Sequence, residues 1–170
     1  MTDVHTILQR HMNMLAIKGK NTKPEMVVRH YLWRSGFRYR VNNPKLPGHP
    51  DIVLRKYRTC IFVNGCFWHG HEGCKYFVVP KTNTDFWVKK ISRNIERDKE
   101  VQQELAKTGW NCITVWECEL KGDMREKTLE SLAFTLNHKY QQEHSVPYQI
   151  IEEESDMSIA SEPVQNDYID

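Results

Sequence analysis

Long apolar runs are missing from this chain. None approaches the ~20 residues that a membrane span needs, so no spanning helix is expected. The apolar core of a secretory signal is also missing, because Met1 to Arg10 mixes charged and polar residues. Cysteine is scarce: five residues, an odd number at irregular spacing, argue against a secreted disulfide framework and for a reducing compartment. We therefore expect a cytoplasmic protein. No internal repeat is present, and 170 residues suffice for one domain with a genuine core.

The stretch from Gln141 to Asp170 lacks Lys and Arg altogether while carrying eight acidic residues. Removing those eight from the 22 acids leaves 14 against 24 basic residues, a net of +10 on Met1–Tyr140. A basic body of that size favours a polyanion through phosphate neutralisation and counterion release. Lysines kept only for solubility would give the same count, so charge needs a second witness.

We divide the chain into an arm or short helix over 1–20, a folded body over 21–140, and an acidic, core-poor tail over 141–170 that is expected to be disordered. In the body, Thr22-Lys23-Pro24-Glu25 opens a helix that Ser35-Gly36 ends. Phe37–Val41 alternates as a half-exposed strand does, and Asn42–Pro50 is a turn-rich loop. Asp51–Leu54 and Thr59–Val63 read as a hairpin of buried strands. A long helix, capped by Thr82–Thr84, runs to about Lys107 and carries Trp87, Ile91 and Ile95 on one face. Asn111–Trp116 is a further strand and Met124–Tyr140 a last helix. That order implies an α/β sandwich around one mixed sheet.

The chemistry is concentrated in Val63 to Cys74, which holds two thiols, two imidazoles and the pair Phe67-Trp68. Cys66, a histidine, Cys74 and Cys118, which follows a strand, make a Cys3His set suited to structural Zn²⁺. Spacing leaves His69 and His71 equally open as the imidazole ligand. Cys60 and Cys112, inside apolar strands, read as ordinary buried cysteines. Asp51, at a strand tip, could hold Mg²⁺ with the Val63 backbone carbonyl and phosphate oxygens. If His69 is not a zinc ligand, it can act as general base toward the attacking water. Glu25 could hydrogen-bond a water of that ion, or serve only as a helix N-terminal acid. Phe67 and Trp68, with Trp87 as a third plate, read as wedges that push between base steps. Trp33, Trp110 and Trp116 read as core.

With these residues in hand, the chain resembles the very-short-patch repair (Vsr) DNA mismatch endonucleases from about Asp3 to Leu120. The matching pieces are Asn13-Met14 with Ala16-Ile17, Leu46-Pro47-Gly48-x-Pro50-Asp51, Gly65-Cys66-Phe67-Trp68-His69, Phe86-Trp87 followed by Lys90, Asn94 and Glu96-Arg97-Asp98, and Val115-Trp116-Glu117-Cys118. The resemblance implies a restriction-endonuclease-like fold: a mixed central sheet flanked by helices, with a structural zinc site. It implies nicking of one strand 5′ of a thymine mispaired with guanine, the lesion left when 5-methylcytosine deaminates. It assigns Asp51 and the Val63 carbonyl to Mg²⁺, His69 to the water, and Cys66, His71, Cys74 and Cys118 to zinc. Phe67, Trp68 and Trp87 would intercalate from the major groove and Met14 from the minor groove, while Lys90 and Asn94 contact DNA near the mismatch.

A monomer near the nucleoid is implied too, with handover to a repair polymerase and a MutL-type protein. Two departures stand out. Asn64 occupies a position where family members can carry a second catalytic histidine, so more of the proton chemistry falls on His69. The loop His71-Glu72-Gly73-Cys74 is one residue longer than its tightest form. The rival readings are a restriction enzyme for paired DNA and a zinc-stabilised DNA-binding module without chemistry.

Overall fold

The computed structural model describes residues 6–16 and 19–144. Its first element is helix α1, Ile7–Ala16. Thr6 and Gln9 cap it reciprocally: the Gln9 N–H donates to Thr6 Oγ1 at 3.2 Å and the Thr6 N–H to Gln9 Oε1 at 3.0 Å. Helix α2, Lys23–Arg34, opens on the same device, with Thr22 at the N-cap and Glu25 closing the box. Pro24 sits where its missing N–H costs nothing, and Gly36, at φ +84°, turns the chain out of the helix.

Four strands form one mixed sheet in the order β1-β2-β3-β4. They are β1 Arg40–Val41, β2 Ile52–Leu54, β3 Thr59–Asn64 and β4 Asn111–Trp116. The β2–β3 hairpin is antiparallel with Ile52 opposite Ile61, and β3–β4 is parallel with Val63 opposite Val115. Between the last two runs helix α3, Thr84–Lys107, and helix α4, Met124–His144, closes the body.

Alternation along the strands builds two cores. Ile52, Leu54 and Ile61 face Val28 and Leu32 of α2 and Leu129, Leu132 and Leu136 of α4. Val53 and Cys60 face the other way, onto Leu105 of α3. Truncating Leu32 to Ala would cost about 2–5 kcal/mol by opening the larger core. The arrangement is a helix–sheet–helix sandwich, and no helix among the described residues is long and apolar enough to cross a membrane.

Several expectations are corrected. The strand over Phe37–Val41 shrinks to two residues, because Phe37 is drawn into the larger core and only the end of the run reaches β2. No side chain caps α3. Asn83 holds the N-cap in a left-handed conformation, while Thr84 Oγ1 turns back to the Pro80 and Lys81 carbonyls. Helix α4 continues through 141–144, into the segment assigned to the tail, and residues 145–170 lie outside the described residues. Trp33 is 57% exposed rather than core, since it lies one residue round the helix from Leu32. Its ring carries the Arg38 guanidinium at 4.1 Å instead. Trp110 does pack on the smaller core, and Cys60 is fully buried there, its thiol pushed up to about 12 by burial.

Candidate functional site

The loop after β3 folds back on itself through short backbone bonds. The His69 N–H reaches the Gly65 carbonyl at 3.2 Å, and the His71 N–H reaches that of Cys66 at 3.0 Å. Gly70, at φ +60°, seats this loop on α3: a Cβ there would lie 2.5 Å from Ile95 Cδ1. The fold thereby gathers Cys66, His71, Cys74 and Cys118, whose ligand atoms all lie within 4.8 Å of one another. Zn–S bonds of ~2.3 Å in a tetrahedron would set sulfurs about 3.8 Å apart, so the set fits a closed four-ligand site.

His71 Nδ1 is 3.3 Å from Cys118 Sγ, and its ring stacks on Trp116 at 4.0 Å, nearly parallel. Trp116, expected as core, belongs to neither core cluster; it is half-buried and forms a wall of the thiol–imidazole site, its ring against the imidazole. Burial, then the two neighbouring thiols, pushes the Cys118 thiol up to about 12. A cation among three thiols reverses that balance, because it favours the thiolates.

His69 is left out of the cluster. Its Nδ1 meets Asp98 Oδ2 of α3 at 2.5 Å, so the neutral ring carries its proton at Nδ1 and keeps a lone pair on Nε2. Asp98 belongs to a matching piece of sequence but received no role there. It lies on α3 while His69 lies on the preceding loop, so no spacing rule connects them.

Asp51, His69 and Asn64 all line one open cleft of about 920 Å³. The Val63 N–H donates to Asp51 Oδ2 at 2.8 Å, tying the carboxylate across the end of the hairpin. A strand residue's N–H and C=O point to one edge, so the Val63 carbonyl is turned to that side as well. Burial raises the Asp51 carboxyl to about 6, with the Val63 bond lowering it and the Glu25 charge raising it further. Such a carboxylate is short of positive charge, which a hard cation supplies.

Glu25 is 3% exposed. It accepts from the Asn21 and Thr22 N–H groups, from Thr22 Oγ1 and from Arg29, at 2.8–3.3 Å. Those four donors fill its acceptor positions.

Phe67, Trp68 and Trp87 come together with ring centroids 5.2–5.9 Å apart. Phe86, assigned no role from sequence, adds an exposed fourth ring edge-on to Trp87. Lys90 Nζ lies over Trp68, Phe86 and Trp87 at 5.4–5.8 Å. Asn94 Nδ2 donates to the Trp68 carbonyl at 2.9 Å, which holds the aromatic loop against α3. Met14 is exposed on α1.

This geometry can be set against known proteins. A family model described as DNA mismatch endonuclease Vsr matches residues 2–75. A type II nicking enzyme, V.NmeAIP of Neisseria meningitidis, is 53% identical over 121 residues, covering 71% of this chain and 86% of the relative. The DNA mismatch endonuclease Vsr of Escherichia coli is 45% identical over 127 residues, covering 75% and 80%. The chain belongs to the Vsr family. A third relative, the type II nicking enzyme V.XorIIP of Xanthomonas oryzae, is 44% identical over 120 residues, covering 71% and 88%. The family model's match ends at residue 75, so the placing of Trp87, Asp98 and Cys118 beside the loop rests on the geometry.

Proposed function

We propose that this protein is a DNA mismatch endonuclease that nicks one strand 5′ of the thymine in T·G mismatches, using Mg²⁺ for hydrolysis and Zn²⁺ for structure. Its Vsr relatives carry the endonuclease and nicking names. What supports the chemistry most is one observation: Asp51 and an Asp98-bound His69 face the same cleft. A restriction-endonuclease-like fold accords with the mixed sheet and with the carboxylate at the tip of its hairpin.

In this reading Asp51 and the Val63 carbonyl hold Mg²⁺, which when bound polarises the phosphodiester. His69 Nε2 takes the proton of the attacking water, and Asp98 orients the ring and stabilises its protonated form. Glu25 acts chiefly by charge, deepening the negative potential at the cation's position while its oxygens cap α2. Phe67, Trp68 and Trp87 unstack the duplex at the mismatch, and Met14 enters from the arm over residues 1–20. Lys90 and Asn94 add DNA contacts beside them. Cys66, His71, Cys74 and Cys118 hold the zinc that keeps the loop rigid. The body over 21–140 acts as a monomer near the nucleoid, and the nick passes to a repair polymerase and a MutL-type partner.

The test is a duplex with one T·G pair, incubated with Mg²⁺ beside its C·G control. Nicking of the thymine strand alone is expected. Asp51→Ala should abolish it while leaving binding in place. Equal cleavage of the control, on both strands, would turn the reading toward a restriction enzyme. Binding without any nick would leave a DNA-binding module.

A further inference from the structure

We infer that Asn64 is a catalytic residue of this cleft, its amide Nδ2–H donating to a non-bridging oxygen of the scissile phosphodiester. The inference rests on the nuclease reading above. Asn64 closes β3 and is only 7% exposed, yet its side chain makes no hydrogen bond among the described residues. The acid and imidazole groups of the cleft nearest to it are engaged. Asp51 is tied to Val63, His69 to Asp98, and Glu25 to the cap of α2. Its amide is not sealed from solvent: Asn64 lines the cleft, so the group is open on that side and its bonding capacity is free for a ligand that enters there.

Direction supports the same assignment. Side chains alternate along β3, so Val63 turns toward the core under α2 and α4 while Phe62 and Asn64 turn toward α3. Helix α3 also carries Asp98, which holds His69, so the amide and the base approach the cleft from one side.

Charge then selects donor over acceptor. Asp51, Glu25, Asp98 and Glu117 all line the cleft, and a phosphate entering among carboxylates needs donors near its oxygens. Lys20, Lys23, Lys90 and Arg97 line it too, but they are exposed and reach in on long stems. Asn64 is an uncharged donor already fixed at the depth of the reaction. It transfers no proton, and it is therefore not a substitute for an imidazole acting as acid.

The experiment measures single-turnover nicking of a T·G duplex with Mg²⁺ by the parent, Asn64→Ala and Asn64→Asp. Each is assayed on the normal phosphate and on both phosphorothioate diastereomers at the scissile position. DNA affinity and melting temperature are followed in parallel.

Asn64→Ala should slow nicking by about 10²–10³-fold, the usual effect of removing one preorganised donor. Affinity and melting temperature should stay near the parent's. Asn64→Asp, the same shape without a donor, should be at least as slow. The parent should discriminate against sulfur in one diastereomer through Asn64, and that part of the discrimination should vanish in Asn64→Ala. A rate near the parent's in Asn64→Ala overturns the inference, as does unchanged diastereomer discrimination. So does a loss that appears equally in melting temperature, which marks a structural role. A parent that never nicks removes the nuclease reading and this inference with it, whereas an active parent with an unimpaired Asn64→Ala removes the inference alone.

Discussion

The thiol–imidazole cluster and the carboxylate cleft share one loop, yet they are organised in opposite ways. Cys66, His71, Cys74 and Cys118 turn their ligand atoms toward one another within 4.8 Å, leaving no position for anything but an ion. Asp51, His69 and Asn64 line open space of about 920 Å³ and each keeps bonding capacity that no neighbour in the protein uses. A closed soft site stores stability. An open hard site spends stability on a ligand that arrives later. Loop residues 65–71 pass from one to the other, so the rigidity of the first sets the geometry of the second.

The harshest way to break this comparison is to remove a thiol ligand. Cys118→Ser should lose its zinc and much of its stability, because binding of a structural zinc is itself folding free energy of about 10 kcal/mol or more. Metal analysis of purified protein and a melting curve check it. A variant that keeps the parent's melting temperature with no zinc bound would show that the cluster holds nothing. Nicking should disappear as well, although Cys118 does not line the cleft.

Next in size is the cleft. Asp98→Asn keeps the shape beside His69 but no longer favours the proton at Nδ1 or the protonated ring. Nicking should fall by about 10²–10⁴-fold. Zinc content and DNA affinity should not change, which separates this pair from the cluster a few residues away. Retention of full activity would mean that the 2.5 Å contact is structural only.

Asp98 is also where reading along the chain stops being informative. Periodicity found α2, the β2–β3 hairpin, β4 and the apolar face of α3, because each is a local pattern of side chains against a buried layer. The gathering of Cys118 with Cys66 followed from β4 running beside β3. Nothing local links Asp98 to His69, because a side-chain pair across loop and helix has no period. Trp33 failed for a similar reason. Residue type suggested burial, but the helical phase set by Val28 and Leu32 puts it in solvent, where Arg38 covers it. Glu25 was legible as a cap; the four donors that fill its oxygens were not.

The aromatic plates test whether the loop also serves recognition. Phe67, Trp68 and Trp87 already pack on one another, so each can unstack DNA only by exchanging one ring contact for another. Trp87→Ala should weaken binding to the T·G duplex by about 1–3 kcal/mol, roughly 5–150-fold, with much less effect on the paired duplex. Equal weakening on both duplexes would assign the ring to general affinity instead of mismatch entry.

The smallest effect isolates what the open site costs. The Asp51 carboxyl is raised from 3.8 to about 6, chiefly by burial, so the folded protein binds that proton more tightly than the unfolded chain does. Its contribution to stability is therefore favourable below about pH 4 and is lost as pH rises toward 6. Above that the ionised carboxylate is a net penalty wherever no cation is present. An amide in its place would carry no charge and could still accept the Val63 N–H, so Asp51→Asn should be more stable than the parent at pH 7 by about 1–3 kcal/mol. The difference should shrink toward zero near pH 4. Acid also weakens thiolate and imidazole ligation at the zinc cluster, but it does so in both proteins and cancels in the comparison. Melting curves in a chelator too weak to strip zinc read the difference directly. Added Mg²⁺ should then stabilise the parent and leave Asp51→Asn unmoved, inverting their order. If the gap is the same at pH 4.5 and pH 7, or if Mg²⁺ raises both alike, Asp51 is not the group that the cleft keeps unsatisfied for a cation.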